Sequence, residues 1–126
     1  MALPNKSNEK ELKVMKKQYG IYVIDYGMYD EFYRLYKLGE TGNLEQRLHQ
    51  HEEKGNKFIK GKTGNVVLWR PVSQYNTKRY EDKNRAIWDN TPGFERCYRC
   101  KDTFLVDTRI VTNIEITIKK TYTVAL

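Results

Sequence analysis

Residues 19–48 read YGIYVIDYGMYDEFYRLYKLGETGNLEQRL, and a change of period inside this stretch decides the fold. Up to Leu38 it is rich in β-branched and aromatic residues, as strands are. Gly27 and Asp30, in the middle, are turn formers. The segment therefore predicts a β-hairpin. Tyr22, Ile24 and Tyr26 share a face of its first strand, and Tyr33, Leu35 and Lys37 share a face of its second. From Asn43 the pattern turns helical. Asn43 is a good N-cap with Gln46 three residues on, and Gly55 suits the position past the end, so a helix is predicted over 43–54. Leu44 and Leu48 mark its core stripe. Arg47 and His51 each follow one of those leucines by three residues and lie beside the stripe.

Further along, 54–64 holds Lys54, Lys57, Lys60 and Lys62 among glycines and reads as a mobile basic loop. Residues 65–72 read as a third strand, ended by Pro71 near its edge. A second helix is predicted over 77–90, capped by Thr77 or Asn76 and stopped by Thr91-Pro92-Gly93. Tyr80, Ile87 and Trp88 mark its buried side. Residues 94–107 read as one or two short strands. Over 108–122 periodicity leaves two readings open. Ile114, Ile116 and Ile118 alternate as in a strand, while Val111, Ile114 and Ile118 fit a helical face capped by Asp107. The fold class is α/β in the α+β sense: a small three-stranded sheet, mixed or antiparallel, flanked by helices. A mobile basic arm (1–18) precedes a domain over 19–126.

The chain has 126 residues, the size of one domain, with 23 Lys and Arg against 16 Asp and Glu, a net charge of +7. Such an excess fits a polyanion, most simply nucleic acid, though it also aids solubility. No stretch has the ~20 apolar residues of a membrane span, so no membrane partner is expected. No apolar N-terminal segment resembles a signal peptide, which implies an intracellular protein, cytoplasmic or nuclear. Cys97 and Cys100 are too few for a disulfide framework. They form a lone CxxC pair without further zinc ligands and are expected as reduced thiols.

Three charged residues stand where apolar ones are expected. Lys37 interrupts the apolar face of a strand, Arg47 lies against the leucine stripe, and Glu81 falls seven residues before Trp88 on one helical line. An unpartnered buried charge costs several kcal/mol, so each needs a reason. One reason is pairing, as between Glu81 and Arg85 at i+4. The other is a shared site for a charged ligand.

Gly20-Ile21-Tyr22, then Lys37-Leu38-Gly39, then Arg47 eight residues after Gly39, then Glu81 on a second helix form an ordered set. That set resembles the GIY-YIG nuclease superfamily, most closely its phage and viral branch, over roughly residues 19–107. There are two departures: Lys37 replaces the second motif tyrosine, and the interval from Tyr22 to Lys37 is slightly long, implying a longer hairpin turn. The resemblance implies a metal-dependent endonuclease, a phosphodiester hydrolase acting on DNA with one divalent ion, Mg²⁺ or Mn²⁺. Glu81 would be the sole protein ligand of the metal, leaving its other positions to water and phosphate oxygen. Arg47 would contact the scissile phosphate. Tyr22 would be the general base, for which its pKa must fall from about 10 to about 7–8. Lys37 would lower that pKa or hold the attacking water. His51 would bind phosphate or relay a proton. Relatives of this branch usually end in a helix, which favours the helical reading of the tail.

Tyr36 should face the other side of the sheet as packing, and His49 should be solvated. Lys54, Lys57, Lys60, Lys62, Lys78, Arg79 and Arg85 would form the DNA-backbone surface. A homodimer is one assembly open to such a chain. Lys37 in place of tyrosine keeps a second reading alive, a nucleic-acid-binding module of the same fold without catalysis. A third is a non-catalytic interaction domain of a larger polypeptide.

Overall fold

A computed structural model of the chain describes residues 18–97, 100 and 102–125, and side chains of the last helix as far as Thr121. The expected arm at 1–18 lies, except for Gln18, outside the described residues.

The hairpin forms as read, from β1 (Gly20–Met28) and β2 (Tyr33–Thr41). Its turn has four residues. The Asp30 carboxylate fixes that turn by accepting from the backbone N–H of Phe32 at 2.9 Å and of Tyr33 at 2.8 Å. This turn and a register shift between Asp25 and Met28 absorb the long interval from Tyr22 to Lys37. Then follow α1 (Leu44–Lys54), β3 (Asn65–Pro71), α2 (Thr77–Asp89), β4 (Phe94–Arg96), β5 (Thr103–Asp107) and α3 (Ile114–Ala125).

The sheet has five strands in the order β3-β1-β2-β5-β4, and every pairing is antiparallel. This corrects the expectation of three strands, and of the two sheet types left open, mixed or antiparallel, the sheet is antiparallel. The additional strands lie in 94–107, and β5 joins the free edge of β2, with Lys37 opposite Thr103. β4 is only three residues long. It is held by its ladder to β5 and by burial of Phe94.

Strand alternation splits the core in two. On one face Ile21, Val23, Leu38, Phe104 and Val106 pack with Trp88 of α2 and Ile118 of α3. Tyr36 belongs to this face as packing, as expected. On the other face Tyr22, Ile24 and Leu35 pack with Leu44 and Leu48 of α1 and with Ile59. Ile59 is 1 % exposed, and Asn56 Nδ2 donates to Thr103 Oγ1 at 2.8 Å. The segment expected as a mobile loop is therefore pinned to the sheet, with Lys54, Lys57 and Lys60 exposed around the anchor.

The tail is helical. Val111 and Ile118 are buried and Ile114 half-buried against one core, while Ile116 is 59 % exposed. A strand would have put Ile114, Ile116 and Ile118 on the same side. Asp107 is not the cap, because its carboxylate holds Arg109. Asn113 takes that place and accepts from Ile116 N–H at 3.4 Å. Asn76, not Thr77, occupies the cap position of α2, without a side-chain bond. Among the described residues no helix is long and apolar enough to cross a membrane.

Candidate active site

The cluster starts at Gly39, the cross-strand partner of Tyr22. A Cβ at Gly39 would lie 2.1 Å from both Cζ and Oη of Tyr22. Only glycine lets the phenol lie flat across β2, and that contact aims its hydroxyl at α1. Gly39→Ala is expected to displace Tyr22 and lower stability by about 1–3 kcal/mol. Thermal unfolding of the variant checks this; an unchanged Tm would refute it.

Asn43 starts α1 by accepting from Gln46 N–H at 3.1 Å. One helical turn separates Arg47 from His51, so both side chains project toward the same end of the sheet. Gly55 closes the helix with φ of −66°, so it is not a left-handed cap. It is required because a Cβ there would meet the His51 carbonyl oxygen at 2.2 Å.

Tyr22 Oη lies 2.8 Å from His51 Nε2. The Arg47 guanidinium acts on the same phenol and favours its ionised form. Arg47 is otherwise exposed and donates to Gln50 Oε1 at 3.3 Å. It is shared by two adjoining clefts of about 370 and 300 Å³, one also lined by His51 and Lys54 and the other by Glu40 and Asn43.

Burial sets the protonation states. It pushes the Tyr22 phenol well above its ordinary range, and Arg47 only partly opposes this. Burial thus works against the lowering that a general base needs, and a neutral Tyr22 hydroxyl can donate to His51. Burial, then the charges of Lys37 and Arg47, push His51 down to about 4. At pH 7 its ring is neutral, and Nε2 can accept the Tyr22 proton.

Lys37 projects on the Tyr22 face, opposite Ile24. Its ammonium is mostly buried, 3.9 Å from Asp102 Oδ2. Burial lowers its pKa and Asp102 opposes that shift. On α2, Glu81 is 7 % exposed. Its carboxylate accepts from Arg85 Nη1 at 3.2 Å and lies 3.9 Å from Lys78 Nζ. The same Nη1 donates to Asp102, so Arg85 links Glu81 to the Lys37 partner. Burial first, then the charge of Asp102, raise the Glu81 carboxyl to about 7. The field of Glu81 acts on both Tyr22 and Lys37.

Tyr22, Lys37, Arg47, His51 and Glu81 thus fall in one electrostatically connected cluster. Pairing and clustering are both realised, since Glu81 is bound to Arg85 and also belongs to the group. Arg85 does not lie on the expected phosphate-facing surface. It is buried and held by Glu81, Asp82 and Asp102. Lys78 is drawn 3.0 Å from Asp82, while Arg79 and His49 are exposed.

Asp102 was missed by the sequence reading. Its place follows from the pairing of Lys37 with Thr103, and no periodicity announces that β5 joins β2. Cys97 and Cys100 are free, buried thiols, and burial raises Cys97 to about 11. Among the described residues no group of three His, Cys, Asp or Glu side chains is arranged to hold a metal ion. Comparison of the chain with models of known families, with curated proteins and with solved structures finds no match.

Proposed function

We propose that the chain is a metal-dependent endonuclease of the GIY-YIG type that hydrolyses DNA phosphodiester bonds. The observation that carries this reading is the 2.8 Å contact between Tyr22 and a neutral His51, with Arg47 open to the adjoining clefts. A hairpin feeding directly into α1, with both motif tripeptides paired across it, supports the same reading.

Water would attack phosphorus as it passes a proton to Tyr22 Oη, while the Tyr22 proton moves to His51 Nε2 and the P–O bond breaks, the leaving oxygen taking a proton from solvent water. The phenol then never has to ionise ahead of the reaction, which removes the difficulty of its high pKa. Two of the charges that depress His51 are those of Lys37 and Arg47. An anionic phosphate bound against them offsets those charges and returns the imidazole toward its ordinary basicity. Arg47 would hold the phosphate and counter the charge that grows on its oxygens. Lys37 would orient the attacking water, with Asp102 keeping it charged.

Glu81 fits the single-carboxylate role. It is a buried carboxylate beside the Tyr22 and Lys37 field, and an ion held there would share it with Arg85. Mg²⁺ or Mn²⁺ held there supplies Lewis acidity at a phosphate oxygen when bound.

Purified protein incubated with supercoiled plasmid and Mg²⁺ or Mn²⁺ is expected to nick it. Arg47→Ala, at an exposed helical position, should fold normally and cut about 10²–10³-fold more slowly. No nicking by the folded wild type, or full activity of Arg47→Ala, would defeat the reading. The binding module without catalysis is favoured by one observation, the engagement of Glu81 by Arg85. It predicts a salt-dependent gel shift with no cleavage, unchanged by Glu81→Ala.

A further inference from the structure

The far end of the β1–β2 hairpin carries aromatic rings that the fold does not bury. Tyr29 is 46 % exposed and Phe32 38 %. The chain leaves α1 at Lys54, and by Phe58 it has reached this tip, where the Tyr29 and Phe58 rings lie 5.7 Å apart and tilted. Two ammonium groups flank the ring pair, Lys57 Nζ 5.2 Å from the Phe58 centroid and Lys62 Nζ 5.6 Å from that of Tyr29. Hydrogen bonds close the tip: Tyr29 N–H donates to the Tyr33 carbonyl at 2.8 Å, and the Asp30 carboxylate accepts from the N–H groups of Phe32 and Tyr33. Phe58 is half-buried against the core on the Tyr22 face, whereas the exposed Tyr29 lies seven residues along the chain from Tyr22, roughly 20 Å.

Leaving apolar rings in water gives up burial energy, and solubility alone calls only for the lysines. Rings interleaved with cations suit a ligand that combines flat π-faces with phosphates. A duplex hides its base faces by stacking them on one another, whereas unpaired nucleotides present them. We infer that the tip formed by Tyr29, Phe58, Lys57 and Lys62 is a stacking platform for unpaired nucleotides of single-stranded DNA. Lys57 and Lys62 supply the cations beside the rings, and the exposed Lys54 and Lys60 belong to the same stretch of chain. The platform goes beyond the proposed cleavage reaction and does not depend on it.

The test is fluorescence anisotropy of the full chain with a labelled oligo-dT and with a duplex of equal length, in EDTA so that nothing is cut. Wild type should bind oligo-dT. Tyr29→Ala and Tyr29→Leu should each weaken that binding about tenfold or more, because leucine keeps bulk but not a π-face. Tyr29→Phe should retain it, and duplex binding should be unchanged in all three. Tyr29 is exposed, and circular dichroism verifies that the variants are folded; should the alanine variant fail to fold, the leucine and phenylalanine variants decide. Unchanged binding in the leucine variant, or an equal loss on duplex, would overturn the platform, as would loss in Tyr29→Phe. Equal affinity for oligo-U would overturn the assignment to DNA. Wild type that fails to nick plasmid but passes this assay would end the nuclease reading and leave the platform standing.

Discussion

Glu81→Gln is expected to abolish metal-dependent cleavage and, above neutral pH, to make the protein more stable than wild type. The activity half follows from charge. Glutamine keeps the shape of the side chain and its capacity to accept from Arg85, but it offers a divalent ion no anionic ligand. Losing the one protein ligand should slow plasmid nicking by about 10³-fold or more, and raised Mn²⁺ should not restore it. The stability half follows from linkage. The folded-state pKa of Glu81, about 7, lies above the ordinary carboxylate value of 4.5. Between those values the folded state binds the extra proton, so its stability falls as pH rises through that window and stays lower above it. Glutamine removes the penalty. Chemical denaturation should show a gain of about 1–3 kcal/mol at pH 8 and none at pH 4, where the wild-type carboxyl is already neutral in both states. A metal ion favours the ionised form, so the acid limb of wild-type activity should begin near pH 7 and move down as Mg²⁺ is raised. A variant that cuts normally, or that is less stable at pH 8, would remove Glu81 from the site.

The sequence already carried the hairpin and α1, because a tyrosine-rich alternating stretch followed by a capped amphipathic helix leaves little choice of local structure. It also carried the puzzle of Lys37, Arg47 and Glu81, since charge on an apolar face is visible without coordinates. What it could not carry was non-local. β5 pairs with β2 across about seventy residues, and nothing in Thr103–Asp107 encodes that partner. With β5 unplaced, Asp102 had no neighbours, and Arg85 read as a surface cation when it is the buried link between two carboxylates. The environment of Tyr22 is not legible in the sequence for a related reason. Composition shows that a phenol has cations in its sequence neighbourhood, but the amount of surrounding water decides the sign, and Tyr22 is 1 % exposed. The 54–62 segment was misread because a single buried Ile59 pins a stretch whose lysines and glycines look like loop.

Tyr22→Phe and His51→Ala are each expected to cost about 10²–10⁴ in cleavage rate, and the double variant about the same as either alone. That pattern separates a relay from a lone base. If Tyr22 acted as a preformed phenolate, its raised pKa would make the rate climb steadily through pH 9, and loss of His51 would have an independent, additive effect. If the proton travels through Tyr22 to His51, the two side chains act as one unit and their effects do not add. The rate should then level off once Glu81 is ionised and His51 is neutral. Stability offers a readout free of catalysis. His51 is depressed from 6.5 to about 4, so the unfolded chain binds more protons across that window and the fold weakens as pH falls through it. Taken as the difference between wild type and His51→Ala, which cancels the opposite contribution of Glu81 over much of the same window, this group should cost wild type roughly 2–3 kcal/mol between pH 6.5 and 4. His51→Ala should lack that slope, while Tyr22→Phe should keep it because its ring still buries the imidazole. Additive rate losses, or acid profiles of wild type and His51→Ala that run parallel, would break the link between phenol and imidazole on which the proposed proton path rests.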